Sequence, residues 1–464
     1  MGLMSIKNNK NKKEAISSAQ IIPLGFLAMI IVGTILLWLP VSTASGQHTG
    51  LLTALFTATT STCVTGLVVV DTYLHWSLFG KIVILILIQL GGLGIIAVSS
   101  TIMLMLHKKF SLSSRLLIMD AFNLSSLNGL VKFLTKVLKG TFFVEFVGAC
   151  LYSIRFIPQF GVGRGIWYSV FTSISAFCNA GIDIIGPNSL IDYNTDPLII
   201  TVTTLLIVLG GLGYVVWFDF IAVGRKTNIG KGGLKFFAKR LSEHTKLVIA
   251  LTVFLLLSGA IFVFILEYNN PETIGNMTLG DKILNSFFQS VTFRTAGFAA
   301  VPQQGLKEST AFMGCLYMFI GGSPVGTAGG VKTVTVFMVA LNTVAFIRNR
   351  DESVIFNRNV TADIMRKATA IVTVSFTITF VFTTIIMAVE GLNIADGLYE
   401  VASATATVGL SRGITPTLGT AGRIIIIICM YLGRIGPISM AIFFSARKPD
   451  KNDVHFADGT YMVG

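Results

Sequence analysis

Apolar residues fall in long blocks along this chain, separated by shorter polar stretches. Six blocks stand out, at 21–41, 82–106, 201–223, 247–266, 371–389 and 424–444. Each approaches the roughly 20 residues that cross a hydrocarbon core as helix. Two weaker blocks, 142–157 and 312–347, are interrupted by charge or glycine. The pattern therefore predicts eight spans. Between paired spans lie apolar stretches too short to cross, at 51–60, 166–177, 283–291 and 394–404. Segments of that length are commonly buried or re-entrant helices. The predicted order is span, short helix, span, four times over.

A sequence repeat runs in step with this pattern. Each short helix leads into a small residue, glycine and an apolar residue, at Thr65-Gly66-Leu67, Ala180-Gly181-Ile182, Ala296-Gly297-Phe298 and Val408-Gly409-Leu410. These glycines are 115, 116 and 112 residues apart. Fixed spacing of this kind marks duplicated structural units. The span after each carries a second glycine cluster: Gly91-Gly92-Leu93-Gly94, Gly210-Gly211-Leu212-Gly213, Gly321-Gly322-Ser323-Pro324 and Gly433-Arg434-Ile435-Gly436. One such cluster could simply allow close helix packing. Four copies in register with four loop glycines define a repeat.

Composition supports a membrane protein and adds its orientation. The 464 residues are 53% hydrophobic and 12% charged, against about 25% charged in soluble domains. The net charge of +13 is concentrated: 25 of 35 Lys and Arg lie in the N-terminal tail, 107–139, 224–246, 347–367 and the C-terminal tail. Alternating spans put all of these on one side, so the positive-inside rule places both termini in the cytosol. That placement makes the charge a topology signal and argues against a nucleic-acid partner. The first apolar block is too long for the h-region of a signal peptide, and no small-residue cleavage site follows it. The five cysteines are scattered in or beside apolar segments and read as small buried hydrophobes.

Irregular backbone at membrane depth is tolerated only where protein or a water-filled cavity surrounds it. Four short helices ending in glycine-bearing strands meet that condition if the strands converge on one axis. Their carbonyls could then replace an ion's hydration shell, with glycine permitting the positive φ that turns successive carbonyls one way. The candidate ion-binding strands are Val64-Thr65-Gly66, Asn179-Ala180-Gly181, Thr295-Ala296-Gly297 and Thr407-Val408-Gly409.

Thr407-Val408-Gly409-Leu410 resembles the start of a potassium-channel filter without its second glycine. One such strand in each of four repeats on one chain resembles the Trk/Ktr/HKT cation-transporter superfamily. Within it, eight spans with no extra N-terminal pair are most similar to KtrB-type membrane subunits of bacterial potassium uptake. The resemblance covers about residues 20–446. It implies an all-α integral membrane fold of four span–pore-helix–span repeats in pseudo-fourfold arrangement around one pore. The corresponding units are a cytosolic tail at 1–19, repeats closing at 107, 224, 347 and 446, with cytosolic loops opening the last three, and a C-terminal tail at 447–464. The resemblance also implies potassium selectivity, because glycine at all four filter positions goes with potassium in this superfamily and serine in the first repeat with sodium. No cofactor is implied in the chain itself, with K+ as transported ion and Na+ as a possible activator. The implied partners are a second copy of the chain and a cytosolic nucleotide-binding ring of the KtrA or KtrC type. The implied location is the cell membrane.

The third unit departs from the others. Its second span is broken by 321–333, where five glycines and a proline are incompatible with a regular helix. A phosphate-binding loop would need adjacent Gly-Lys, which is missing. A packing kink and a mobile loop below the filter are the two remaining readings. The second matches the gating loop of the resembled family, here Gly326, Thr327, Ala328, Gly329 and Gly330, with Lys332 as its anchor. In the fourth unit Arg434 replaces the second glycine of the pair. An ionisable group in a span usually faces the protein interior or a water-filled cavity. Arg434 is therefore expected either to set an electrostatic barrier with the loop or to bond helix ends structurally. Arg294, three residues before Gly297, is expected to brace the filter by bonding helix-end carbonyls or an acid. Asp71, Asp183, Glu390 and Glu400 are either an acidic mouth that concentrates cations or solvated loop carboxylates.

No histidine pairs with Cys or a carboxylate at metal-ligand spacing, so the chain is not expected to be an enzyme. The alternative to a gated conduit is a sodium- or proton-coupled secondary transporter. Such proteins often carry inverted repeats, whereas these repeats run in one direction. The basic segments 225–246 and 348–367 are suited to anionic lipids or a cytosolic protein.

Overall fold

The computed structural model describes residues 18–94, 130–226 and 237–436. It is helical throughout, apart from a short hairpin pairing Val354–Ile355 with Arg358–Asn359. The expected loop 107–139 falls largely outside the described residues, and the N-terminal tail before residue 18 and the C-terminal tail fall wholly outside them.

Among the described residues, four helices are long and apolar enough to cross a membrane: α1 (Ser18–Trp38), α4 (Leu130–Phe160), α8 (Glu243–Glu267) and α12 (Ala362–Glu390). Each is followed by one of the short helices, α2 (Leu51–Thr62), α5 (Val162–Cys178), α9 (Leu279–Phe293) and α13 (Ile394–Thr405). Two of the short helices, α9 and α13, begin at side-chain caps, whereas α2 and α5 follow Gly50 and Gly161. Thr278 accepts from Asp281 N at 3.3 Å, and Asn393 from Asp396 N at 2.8 Å, satisfying donors that a helix start leaves orphaned. α2 and α13 begin at the residues expected from hydropathy, α5 and α9 begin four residues earlier, and all four end one or two residues later than expected.

A second helix then follows each short one. These are α3 (Leu78–Leu93), α6 (Pro197–Leu212) with α7 (Tyr214–Lys226), α10 (Glu308–Phe319) with α11 (Thr333–Ile347), and α14 (Thr420–Ile435). The expected continuous block at 201–223 is not a single helix, and α3 ends at Leu93 inside the expected block 82–106, whose residues 95–106 lie outside the described residues. Gly94, Gly213 and Gly436, the last glycines of their clusters, all take positive φ, at 83°, 91° and 85°. Each ends a helix in the left-handed half of φ space that favours glycine. At Gly213 the chain turns so that α6 and α7 meet at 94°.

Polarity is inverted relative to a soluble protein. Phe254, Leu257, Ile261 and Ile265 of α8 are exposed, as are Phe376 and Phe380 of α12. The buried polar residues gather at the ends of the short helices: Thr59 to Thr62, Ser173 and Ser175, Ser290 and Thr292, and Ser403. Glycines let the long helices approach these ends. A Cβ on Gly148 would meet the Ser173 hydroxyl, and one on Gly259 the Ser290 hydroxyl. Small residues at such crossings are a common device of membrane interiors.

Candidate ion-conduction site

The four strands that leave the short helices share one backbone conformation. Two residues before each loop glycine, the chain takes positive φ at Val64 (54°), Asn179 (60°), Thr295 (66°) and Thr407 (50°). The glycines follow at 104° (Gly66), 64° (Gly181), 81° (Gly297) and 98° (Gly409). Positive φ is unfavourable for Val and Thr, at about 1–3 kcal/mol each, and persists only where the surroundings enforce it.

These strands form a closed ring. A Cβ on Gly66 would lie 2.5 Å from Ala180 O, one on Gly181 2.7 Å from Ala296 O, and one on Gly297 2.6 Å from Val408 O. A Cβ on Gly409 would strike Thr65 O and complete the circuit. Each loop glycine thus faces the carbonyl just before the glycine of the next repeat. No side chain fits at any of the four positions.

Hydroxyls fasten the ring to its helices. Gly66 N donates to Thr60 Oγ1 and Gly409 N to Ser403 Oγ, both at 3.0 Å. In the other two repeats the direction reverses, with Ser175 donating to Ile182 O at 2.5 Å and Thr292 to Phe298 O at 2.6 Å. The third strand differs again in its backbone. Thr65, Ala180 and Val408 each donate to the carbonyl five residues back, whereas Ala296 donates four back, to Thr292. The hydroxyls of Thr65, Thr295 and Thr407 are buried and make no hydrogen bond to protein.

The second glycine clusters pack directly behind the ring. A Cβ on Gly91, Gly210 or Gly433 would strike the carbonyl of Thr62, Phe177 or Thr405, respectively. Each of those carbonyls lies four residues before its loop glycine. In the third unit Gly321 instead abuts Gly329 of its own loop.

That loop, between α10 and α11, is irregular and buried against its neighbours. Ser323 N donates to Gly211 O at 2.9 Å and Thr327 N to Gly210 O at 3.0 Å, while Tyr214 N donates to Val325 O at 3.0 Å. The Thr327 hydroxyl donates to Phe177 O at 3.0 Å, at the end of α5. Gly329 lies so close to Thr407 that a Cβ there would strike its hydroxyl. The loop therefore sits against the first strand residue of the fourth repeat. Gly326 packs on Gly210 and Gly211, Ala328 is buried, and Gly330 has positive φ (65°). Lys332 donates from Nζ to Ala328 O at 2.6 Å, closing the loop on itself.

Arg434 reaches the loop from α14. Its Nη1 donates to Thr327 O at 2.8 Å and its Nη2 to Gly91 O at 2.5 Å. Arg294 donates from Nη2 to Gly321 O at 3.2 Å, a loop carbonyl rather than an acid. Two of the acids expected either at a mouth or as solvated loop carboxylates are held by hydrogen bonds within the fold. Glu400 is fully buried and accepts from Ser411 at 2.8 Å and from Thr415. Glu390 caps α14, accepting from Gly419 N at 3.0 Å and Gly422 N at 2.9 Å. Spacing along the chain does not reveal which side of a helix end a carboxylate reaches. Asp71 accepts from Tyr73 N at 2.7 Å and caps a single helical turn. Glu145 escaped notice in the sequence. It is buried in α4 and accepts from Gln89 at 3.0 Å. Its signal was that it is the lone acid of the block 142–157. Among the described residues, no three His, Cys, Asp or Glu side chains gather as a metal-ligand set.

The family model TrkH, cation transport protein, matches residues 3–455. The chain belongs to that family. TrkH-family proteins are transporters, so the chain is not an enzyme, and its apolar helices make it a multi-pass membrane protein. It is 37% identical to Ktr system potassium uptake protein B of Bacillus subtilis strain 168, with 96% of each chain covered. It is 34% identical to the protein of the same description from Vibrio alginolyticus, over 100% of this chain and 98% of that one. Potassium/sodium uptake protein NtpJ of Enterococcus hirae is also 34% identical, over 98% and 99%. The crystal structure of the potassium transporter TrkH from Vibrio parahaemolyticus shares the fold, with a TM-score of 0.73 over 94% of this chain and 86% of that one, at 14% identity.

Proposed function

We propose that this TrkH-family chain is the potassium-conducting membrane subunit of an uptake system, in which the four glycine strands are the selectivity filter. The carrying observation is the closed ring of Gly66, Gly181, Gly297 and Gly409, each facing the next repeat's carbonyl. Alternation of positive and negative φ along each strand turns successive carbonyls to one side, where they can stand in for water around a dehydrated cation. The unpartnered hydroxyls of Thr295 and Thr407, at equivalent positions, add oxygens at the inner end. The C-terminal ends of α2, α5, α9 and α13 contribute partial negative charge. In this reading eight spans, two per repeat, surround one pore, and the break at 320–332 is an intramembrane gate held by Arg434.

The charge distribution supports a cell-membrane protein with both termini cytosolic. The names of the Ktr-system relatives support assembly with a further component. On this reading the chain is half of a homodimer on a nucleotide-binding regulatory ring, and membrane lipids contact its apolar faces. The NtpJ relative, named for potassium and sodium, favours one alternative worth a direct measurement: Na+ as activator or coupled ion.

The deciding experiment is rubidium and sodium flux into liposomes carrying wild type or Gly66→Ser. A filter at Gly66 requires the potassium preference to fall in the mutant. Unchanged preference overturns the assignment. Rubidium uptake that collapses when a sodium or proton gradient is removed favours the coupled transporter instead.

A further inference from the structure

Arg294 is charged, buried and almost without partners. It is 7% exposed, and of its five N–H donors the structure pairs one, from Nη2 to Gly321 O at 3.2 Å. Its Nε has no acceptor. Among the described residues, no Asp or Glu forms an ion pair with it. A guanidinium stays protonated in proteins, so this site holds a full positive charge three residues before a filter glycine. Removing such a charge from water is costly unless it is paired and its donors are satisfied.

A cavity of about 20 Å³ adjoins Arg294. It lies between Val208 and Gly211 of α6, Thr252 and Leu256 of α8, and Gly322 of the loop. Thr252 brings a second donor, since its buried hydroxyl makes no hydrogen bond to protein. Apolar walls, an unpaired guanidinium and a spare hydroxyl describe a host for one small acceptor. A space needs roughly 10–15 Å³ to hold one water, so the volume suits a single particle of water to chloride size. Water would satisfy a donor but leave the charge. A halide does both.

We infer that the cavity behind the third filter strand is a binding site for a monatomic anion of the chloride class, held by the Arg294 guanidinium and the Thr252 hydroxyl. The bound anion neutralises Arg294 and lets the third strand present a cation path without a fixed positive charge at its back. The inference concerns anion binding alone and stands whether or not the strands select potassium.

The test uses the purified full-length protein, with bromide as probe. Crystals grown in bromide should show an anomalous peak within hydrogen-bonding distance of Arg294. Thermal unfolding at constant ionic strength should occur at higher temperature in chloride or bromide than in gluconate. Thr252→Val, which keeps shape and loses one donor, should raise the half-saturating halide concentration about tenfold, equivalent to about 1.4 kcal/mol. Arg294→Gln should abolish the halide effect; if it does not fold, the Thr252→Val shift alone decides. Ordered water without a bromide peak, together with equal melting in chloride and gluconate, overturns the inference.

Discussion

The Arg434 guanidinium donates to the Thr327 carbonyl at 2.8 Å, while the Thr327 hydroxyl donates to Phe177 O at 3.0 Å. One loop residue thus joins an arginine of the fourth repeat to the end of α5 in the second. A hydrogen bond from a charged donor contributes about 1.5–3 kcal/mol, so this pair is strong enough to set the position of the loop.

Replacing Arg434 by Ala should therefore release the loop. Basal rubidium flux in liposomes without regulatory subunits is expected to rise at least about tenfold, since 1.4 kcal/mol corresponds to that factor. Flux and regulation equal to wild type would remove Arg434 from the gate. Arg434→Lys should fall between the two, because an ammonium cannot span Thr327 O and Gly91 O as the fork does.

Thr327→Val deletes only the bond to Phe177 and leaves the backbone bonds to Gly210 and Arg434. A neutral hydrogen bond contributes about 1 kcal/mol net. The same flux assay should show a rise of a few-fold, clearly below that of Arg434→Ala. A larger effect would mean that the hydroxyl, and not the guanidinium, holds the loop.

Gly297→Ala faces both a positive φ of 81° and Val408 O at 2.6 Å from the added carbon. The conformation alone costs an L-residue roughly 1–2 kcal/mol. The strand must move, and the potassium-to-sodium flux ratio should fall. Retention of that ratio together with wild-type melting would refute the close approach.

The hydroxyl fastenings should act on selectivity as well as on stability. Thr60→Val and Ser403→Ala each remove the acceptor of a glycine N–H, leaving a buried donor unpaired at about 1–3 kcal/mol. Their double mutant is expected to lose potassium preference while still reconstituting. Glu390→Ala provides the contrast. It strips the cap from α14, which should lower the melting temperature through a loss of about 0.5–2 kcal/mol and leave ion preference intact.

The short helices, the loop glycines and the broken third unit were all legible in the sequence because each is a local pattern. Apolar length fixed the helices, and spacing fixed the repeat. The glycine clusters were visible but only half understood. Gly91 and Gly210 work as close-packing positions as well as marking the repeat, while Gly94 and Gly213 end their helices, which hydropathy misses because the apolar run continues past them. The positive φ of Val64, Thr295 and Thr407 could not be read at all. Branched side chains argue against it, and only the surrounding ring imposes it. Glu400 and Glu390 failed for a related reason, since their roles depend on Ser411, Thr415 and the start of α14 folding back upon them.

The ring of glycines is assembled from four seams that differ in sequence, because one chain supplies every strand. A single codon change therefore adds a side chain at one seam, between two strands, and leaves the other three glycines in place. Gly66→Ser, Gly181→Ser, Gly297→Ser and Gly409→Ser are four separate experiments on one aperture, and their effects can be ranked. In an assembly of four identical chains the same change would strike all seams together. Graded ion preference is accessible here in quarter steps, and the third seam, with its different backbone bonding and Arg294 behind it, is the quadrant least interchangeable with the rest.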